Sequence, residues 1–217
     1  MKRIVHYTAL ISCILLLNSC GVPQADYDTL KEENKKLKQE ILKLKKTLND
    51  SDPEDQKKTK SYKKALSKMQ EKYDATNSVT WYSDKSSIKV NTKNYIQIYV
   101  GKKDKGKTWL GLSINYFTKK DWLLIQRIEI DVDGKTFEIE EEIKGELKKK
   151  EESGGKREWI DRIVKQLEIP MLKAIASGKT VKIKFFGKDD VKEMTVTTTE
   201  KRSMQNVLKA FYELREL

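Results

Sequence analysis

Apolar side chains between residues 26 and 49 recur at alternating spacings of three and four, which is the heptad pattern of a coiled coil. Leucine occupies every d position, and a single asparagine stands among the a positions. This combination favours a parallel two-stranded coil, because paired asparagines can bond in only one register. We therefore expect a parallel homodimer. The predicted seam consists of Tyr27, Leu30, Asn34, Leu37, Ile41, Leu44 and Leu48.

Charged residues beside the seam agree with this pairing. Glu33 and Glu40 occupy g positions, where in a parallel dimer they face Lys38 and Lys45 at e positions of the partner. The alternative is one amphipathic helix packed on its own domain, since three heptads are close to the shortest length for such a prediction.

A second helix is predicted over residues 53–76. Asp52 is placed as its N-cap, with Pro53 at the first helical position. The apolar positions recur at helical spacing, and Asn77 and Ser78 are interpreted as a linker. The apolar stripe consists of Tyr62, Ala65, Leu66, Met69 and Tyr73.

The apolar pattern changes to a period of two after Val79, which predicts β-strands. Because one face of each strand is polar, we expect an antiparallel sheet with one face packed. Asp133-Gly134 is a strong two-residue hairpin signal. The predicted strands lie around 95–100, 110–116, 122–132 and 136–143, with 101–107 as a hairpin loop and 144–156 as a mobile loop.

Helices are predicted to alternate with two more strands towards the C-terminus. Pro170 opens a short helix that ends at Gly178, and Thr197 and Glu200 form a capping box before a final helix. Residues 157–167 fit either a helix or a strand. Residues 79–217 are therefore predicted to form an α+β domain with an antiparallel β-sheet and C-terminal helices, preceded by a helical coiled-coil stalk.

The first 19 residues have the layout of a secretory signal peptide. Lys2 and Arg3 precede an apolar segment over 4–17, which is shorter than the roughly 20 residues of a membrane-spanning helix. Leu17-Asn18-Ser19-Cys20 resembles the lipobox of bacterial lipoproteins, with Asn18 where that family prefers a small or β-branched residue.

The resemblance implies cleavage before Cys20 and attachment of lipid, including a fatty acid such as palmitate, to Cys20. Residues 20–25 would then be a lipidated linker, and the membrane would be the first partner. The implied location is the bacterial cell envelope, facing the periplasm. Gly21 follows the cysteine where an aspartate would favour the inner membrane, so the outer membrane is the expected one.

Removal of the signal peptide also limits the chemistry of the chain. His6 is its single histidine, and His6 and Cys13 both leave with that peptide, while lipid occupies Cys20. The mature chain then cannot build a zinc site of Cys and His, a Ser-His-Asp triad or a Cys-His dyad. The acidic segment 129–140 resembles a calcium loop, but the hairpin explains it. We predict no cofactor, no metal and no catalytic residue.

The chain is basic, with a formal charge of +12 and a mean hydropathy of −0.71. An exported protein meets anionic lipids and acidic glycans rather than nucleic acid, so those are the expected ligands. Aromatic residues near the basic turns, Tyr95, Tyr99, Trp109 and Trp122, would stack on sugars or meet acidic head groups. In the alternative interpretation they are core and the lysines are solvated. The candidate contacts are Lys102, Lys103, Lys105, Lys107, Lys119 and Lys120.

These patterns together predict a non-enzymatic, lipid-anchored envelope protein that displays a small α+β binding domain on a coiled-coil stalk. Two alternatives remain open: an envelope hydrolase that uses paired carboxylates, and an inhibitor or exclusion lipoprotein that acts on an envelope enzyme.

Overall fold

The computed structural model describes residues 24–49, 53–87, 90–104 and 106–215, with the side chains of 24, 45–49 and 53–56 excepted. The predicted signal peptide and Cys20 therefore lie outside the described residues. The chain divides into two compact units, with the boundary between Lys57 and Lys58.

Helix α1, Gln24–Asn49, lies in the first unit. It is rich in Lys, Glu and Leu, all good helix formers. Side chains along the predicted seam are half-exposed or more, from 50% at Ile41 to 62% at Leu44. The Asn34 amide donates to the Leu30 carbonyl. The helix is present as predicted, its pairing with a second copy remains a prediction, and the Leu48 side chain is not described.

Helix α2, Pro53–Leu66, is shorter than the predicted helix over 53–76. Residues Met69–Asp74 form strand β1 instead, so the helix predicted there is wrong. Backbone pairing with strand β2, Val79–Asp84, decides this, and it buries Met69 against the core. The predicted linker is a hairpin turn: the Asp74 carboxylate accepts from the backbone of Thr76 and Asn77, and Ser78 has a φ of 51°.

A six-stranded antiparallel sheet, the first sheet, has the order β1-β2-β3-β4-β8-β7. The predicted loop at 144–156 is instead largely β7 and its turn into β8. Residues 157–163 are strand, which resolves the earlier ambiguity, and the 3₁₀ turn Gln166–Glu168 follows. The remaining strands are β3 Tyr95–Lys103, β4 Thr108–Thr118, β7 Leu147–Glu152 and β8 Gly155–Ile163.

A four-stranded antiparallel sheet, the second sheet, has the order β10-β9-β5-β6. Asp133 and Gly134 have φ angles of 52° and 90°, which confirms the predicted two-residue hairpin. Strand β5 begins at Arg127 rather than at Trp122. Its strands are β5 Arg127–Val132, β6 Lys135–Glu140, β9 Val181–Phe186 and β10 Val191–Thr195.

Two helices complete the second unit, α3 Ile169–Ser177 and α4 Thr198–Arg215. The predicted capping box is confirmed: the Glu200 N–H donates to Thr197 Oγ1 at 3.2 Å, and the Thr197 N–H donates to Glu200 Oε2 at 2.8 Å. Helix α4 packs against α3 and the first sheet.

One hydrophobic core joins both sheets and both C-terminal helices. Ile98, Leu112, Phe185 and Val207 are buried in it, and the Tyr116 and Phe185 rings from the two sheets lie 5.2 Å apart. The predicted α+β class with an antiparallel sheet and a C-terminal helix is confirmed. Because core residues alternate along β2, β3, β4 and β8, the first sheet has a second face that points away from this core.

Candidate functional site

Three aromatic rings meet on this second face of the first sheet. Trp81 of β2 lies 5.6 Å from Tyr99 of β3 and 5.6 Å from Trp109 of β4, measured between ring centroids. All three side chains are partly buried, with part of each side chain accessible. We call Trp81, Tyr99 and Trp109 the aromatic platform.

Two glycines allow the rings to lie close to the sheet. Trp109 is the cross-strand partner of Gly101, and Tyr99 is the partner of Gly111. A Cβ atom on Gly101 would lie 2.4 Å from the Trp109 ring, and one on Gly111 would lie 2.2 Å from the Tyr99 ring. Both rings therefore cover glycine backbone. Trp81 stands at 89° to the Trp109 plane, so it forms a wall beside this floor.

A hydrogen bond fixes the Tyr99 ring. Its hydroxyl donates to Asp161 Oδ1 of β8 at 2.5 Å. Burial, and then this contact with Asp161, raises the pKa of Tyr99 well above its usual range. The hydroxyl therefore keeps its proton at any physiological pH, and Asp161 keeps a second oxygen on an exposed side chain.

The other end of this face is closed by the chain itself. The buried Asn115 amide donates to the carbonyls of Asn91 and Lys93, at 3.1 and 2.7 Å, and accepts from Arg157 Nε. The Arg157 guanidinium also lies 3.9 Å from the centre of the Trp159 ring. This end of the face is therefore organised by contacts within the chain.

The structure separates the predicted lysines into two groups, and Lys105 lies outside the described residues. Strand β4 between the groups has 11 residues, which corresponds to roughly 35 Å. The predicted set is therefore not one surface. Lys102, Lys103 and Lys107 lie at one end of β4, and Lys119 and Lys120 lie at the other.

Two of these lysines adjoin the aromatic platform. Lys103 lies two residues beyond Gly101, and Lys107 lies two residues before Trp109. The Lys102 side chain points away from the platform, and its Nζ donates to the Leu214 carbonyl at 3.5 Å. A third exposed lysine, Lys72, is the cross-strand partner of Trp81.

Sequence reasoning missed Lys72 and Trp81 as site residues. A helix was predicted at Lys72, so its pairing with Trp81 was not expected. Of the predicted aromatic set, Tyr99 and Trp109 are in the platform, whereas Tyr95 is buried with only 3% exposed. Trp122 lies in the β4–β5 connection, outside the platform. The available signal for Trp81 was the alternation over residues 81–83, which places Trp81 and Ser83 on the same face of a strand.

A cleft of about 910 Å³ adjoins the platform at Trp109. Apolar and cationic side chains line this cleft. No acidic side chain is found among the described residues that line it. The apolar part is Leu110, Val164, Ile169, Phe211 and Leu214, and the cations are Lys102, Lys107 and Arg215.

A smaller cleft of about 310 Å³ beside Trp122 does contain acidic residues. Hydrogen bonds from Lys156 and Lys192 lower the pKa of Asp121 and of Asp190, respectively. Both carboxyl groups are therefore ionised at neutral pH, where neither is suited to act as a general acid.

The acidic segment 129–140 forms the β5–β6 hairpin. Asp133 accepts from the backbone of Lys179 and Thr180 at 2.9 and 2.8 Å, and these bonds lower its pKa. Lys184 Nζ lies 3.4 Å from Glu129 Oε1. No group of three or more Cys, His, Asp or Glu that is arranged to hold a metal ion is found among the described residues.

Comparison of the sequence with models of known protein families and with curated proteins found no match. Within the described ranges, no helix has the length and apolar character needed to cross a membrane. The candidate site therefore stands on its own geometry.

Proposed function

We propose that this chain is a lipid-anchored protein of the bacterial cell envelope, without catalytic activity, that binds an envelope component with its aromatic platform. Cys20 carries the lipid, α1 forms the stalk, and the β-sheet domain presents the ligand-binding surface. The observation that carries this proposal is the aromatic platform, whose three large aromatic side chains are partly exposed on the sheet face opposite the core.

Exposure of large aromatic side chains to water is unfavourable, so we expect the platform to contact a ligand. Tryptophan and tyrosine bury large apolar areas, and such rings are enriched at interfaces, where they contribute strongly to binding. Ring-over-glycine pairs also stabilise the sheet, and Trp81 contacts the Asp74 carboxylate. These contacts still leave part of all three side chains accessible.

Two buried glutamates of the domain have structural partners, which favours binding over hydrolysis at these positions. The buried Glu158 accepts three backbone N–H bonds, and the buried Glu200 accepts from the backbone of Ile96 and Thr197. A general acid or base needs a free proton position within reach of a substrate. These carboxylates instead hold the fold together.

We assign the stalk to α1. Its 26 residues span about 40 Å as a helix. Pairing through the exposed seam would join two domains in one assembly. A ligand with repeated units would then be held by two platforms, which raises the overall affinity without new contacts.

Cys20→Ser is expected to abolish incorporation of a labelled fatty acid into the protein. The thiol is the attachment point that the lipobox resemblance implies, and serine does not accept the diacylglycerol. Growth with radioactive palmitate, followed by gel electrophoresis of the immunoprecipitated protein, measures this directly. Label that persists in the variant contradicts anchoring at Cys20, and Ser19→Ala, which keeps a small residue before the cysteine, is the matched control.

The mature chain with Cys20→Ser, which lacks the lipid, is expected to sediment with washed cell envelopes. Trp81→Ala should release most of it, because this change removes the wall of the platform. Trp122→Ala is the matched control, since it removes the same side chain outside the platform. Equal release by both substitutions, or no sedimentation of the parent chain, contradicts the proposed binding surface.

A further inference from the structure

We propose that the ligand of the aromatic platform is an acidic polysaccharide, whose sugar rings stack on Trp109 and Tyr99 beside Trp81 while lysines at the rim hold its carboxylates. This inference rests on the proposed function, because it names the ligand class of the same surface.

The shape of the platform fits a sugar chain. Trp109 and Tyr99 lie over Gly101 and Gly111 and are partly exposed, which leaves part of each side chain for stacking. The C–H face of a pyranose is apolar and makes dispersion contacts with such a ring. Trp81, at 89° to Trp109, would contact the side of the same sugar.

Polar groups for the sugar hydroxyls lie in the next row of the sheet. Gln97 precedes Tyr99 by two residues on the same face and pairs with Ser113, which in turn pairs with Asp161. The Gln97 amide is half-buried and supplies both a donor and an acceptor. One oxygen of the Asp161 carboxylate accepts from the Tyr99 hydroxyl. The second oxygen can accept from a sugar hydroxyl.

The charge at the rim favours an acidic sugar. Lys72 is the cross-strand partner of Trp81, and Lys103 and Lys107 each lie two residues along the chain from the paired Gly101 and Trp109. All three lysines are exposed. Three carboxylates near the rings already have partners: Asp161 accepts from Tyr99, Asp104 accepts from Tyr73 at 2.9 Å, and Asp74 contacts Asn77 and Trp81. The chain carries +12, or +10 without Lys2 and Arg3 of the predicted signal peptide, and this charge raises the local concentration of any polyanion.

A lipid is a poorer fit to this surface. An acyl chain is bound in an enclosed apolar pocket, whereas the platform is an open sheet face. Lipid head groups alone would contact the lysines and would leave the aromatic platform without a partner. A long glycan uses the rings, the polar row and the lysines together.

The test measures binding of the mature chain carrying Cys20→Ser to three soluble polymers by isothermal titration calorimetry at physiological salt. Polygalacturonate is the acidic polysaccharide, dextran the neutral one, and polyglutamate the polyanion without sugar rings. We expect polygalacturonate to bind at least about tenfold more tightly than either of the others, which corresponds to about 1.4 kcal/mol.

Substitutions separate stacking from charge. Trp109→Ala should weaken polygalacturonate binding about tenfold, and Trp122→Ala should leave it unchanged. Trp81→Ala is a second variant that keeps Trp109 over Gly101, so the test stands even if Trp109→Ala does not fold. Lys72→Gln should weaken binding less than Trp109→Ala and reduce its dependence on salt. Near-ultraviolet circular dichroism checks that each variant is folded.

Equal affinity for polyglutamate, with no effect of either platform substitution, would overturn the inference in favour of charge alone. Preference for vesicles of anionic phospholipid over polygalacturonate would also overturn it. If envelope sedimentation depends on Trp81 but polygalacturonate does not bind, the ligand class is wrong and the proposed function stands. If neither binding occurs, both are wrong.

Discussion

Replacing Glu158 with leucine is expected to lower the free energy of unfolding of the β-sheet domain by about 3–5 kcal/mol. The Glu158 carboxylate is 4% exposed and accepts the N–H groups of Leu123, Leu124 and Ile125 at 2.7, 3.1 and 2.8 Å. Leucine removes the acceptor and leaves three consecutive backbone donors without their partner. Urea denaturation followed by tryptophan fluorescence measures the loss.

The same contact explains the path of the β4–β5 connection, which crosses from the first sheet to the second. Leu124 has a φ of 56°, a conformation that a leucine rarely adopts. Three hydrogen bonds to one carboxylate compensate for this strain, since they satisfy the donors that the turn exposes. Leu123 and Ile125 on either side of it are buried, so the turn also helps to close the core.

Glu151→Leu is the matched control for Glu158→Leu. Glu151 lies on the neighbouring strand β7 with an exposed side chain, so its replacement should change the free energy of unfolding by less than about 0.5 kcal/mol. Glu158→Gln keeps one oxygen acceptor and should fall between the two. A loss below about 1 kcal/mol for Glu158→Leu would show that the three hydrogen bonds are not needed for stability.

Leu37→Asp is expected to convert a dimer of the mature chain, with Cys20→Ser, into a monomer at micromolar concentration. Leu37 is a central d position of the predicted seam and is 56% exposed in the single chain. An aspartate there would place two carboxylates against each other inside the coil, where a buried charge without a partner is strongly unfavourable. Sedimentation equilibrium measures the mass directly, and the expected change is a factor of two.

Gln39→Asp provides the comparison for the seam substitution. Gln39 lies at an f position on the outer face of the same helix, so the substitution introduces aspartate two residues away without touching the seam. This variant should stay dimeric. A parent chain that is already a monomer at the same concentration contradicts the coiled coil, and so does equal dissociation by both variants.

The helical circular dichroism of the Leu37→Asp variant provides a second test of the coiled coil. An isolated helix of this length is only marginally stable in water, because most of its residues gain little beyond local hydrogen bonds. The Leu37→Asp monomer should therefore lose part of its helical circular dichroism, whereas the β-sheet domain should keep its near-ultraviolet signal. If helicity is fully retained in the monomer, α1 does not depend on pairing.

Local patterns predicted the elements that local interactions control. The capping box at Thr197 and Glu200 and the hairpin at Asp133-Gly134 were both predicted correctly, because each depends on residues a few positions apart. The alternation in β3, β4 and β9 was also sufficient, since each of these strands buries one face.

Prediction failed where distant pairing decides the conformation. Residues 69–74 have a helical apolar spacing, yet pairing with β2 places them at the edge of a sheet. Residues 147–152 are nearly all charged, and only pairing with β8 makes them a strand. At both places the hydrogen bonds to a neighbouring strand outweigh local preference, which is a weak guide to strands.

The sequence by itself predicted the α+β class correctly, because strand alternation depends on consecutive residues. For the same reason it predicts a heptad seam in α1 and lipid attachment at Cys20, and both stay predictions. Only the tertiary structure decided that Trp81, Tyr99 and Trp109 meet on one face. These residues come from three strands whose cross-strand registers place Gly101 beneath one ring and Gly111 beneath another. Register depends on the packing of the whole sheet against the core, so no single segment of the sequence specifies the platform.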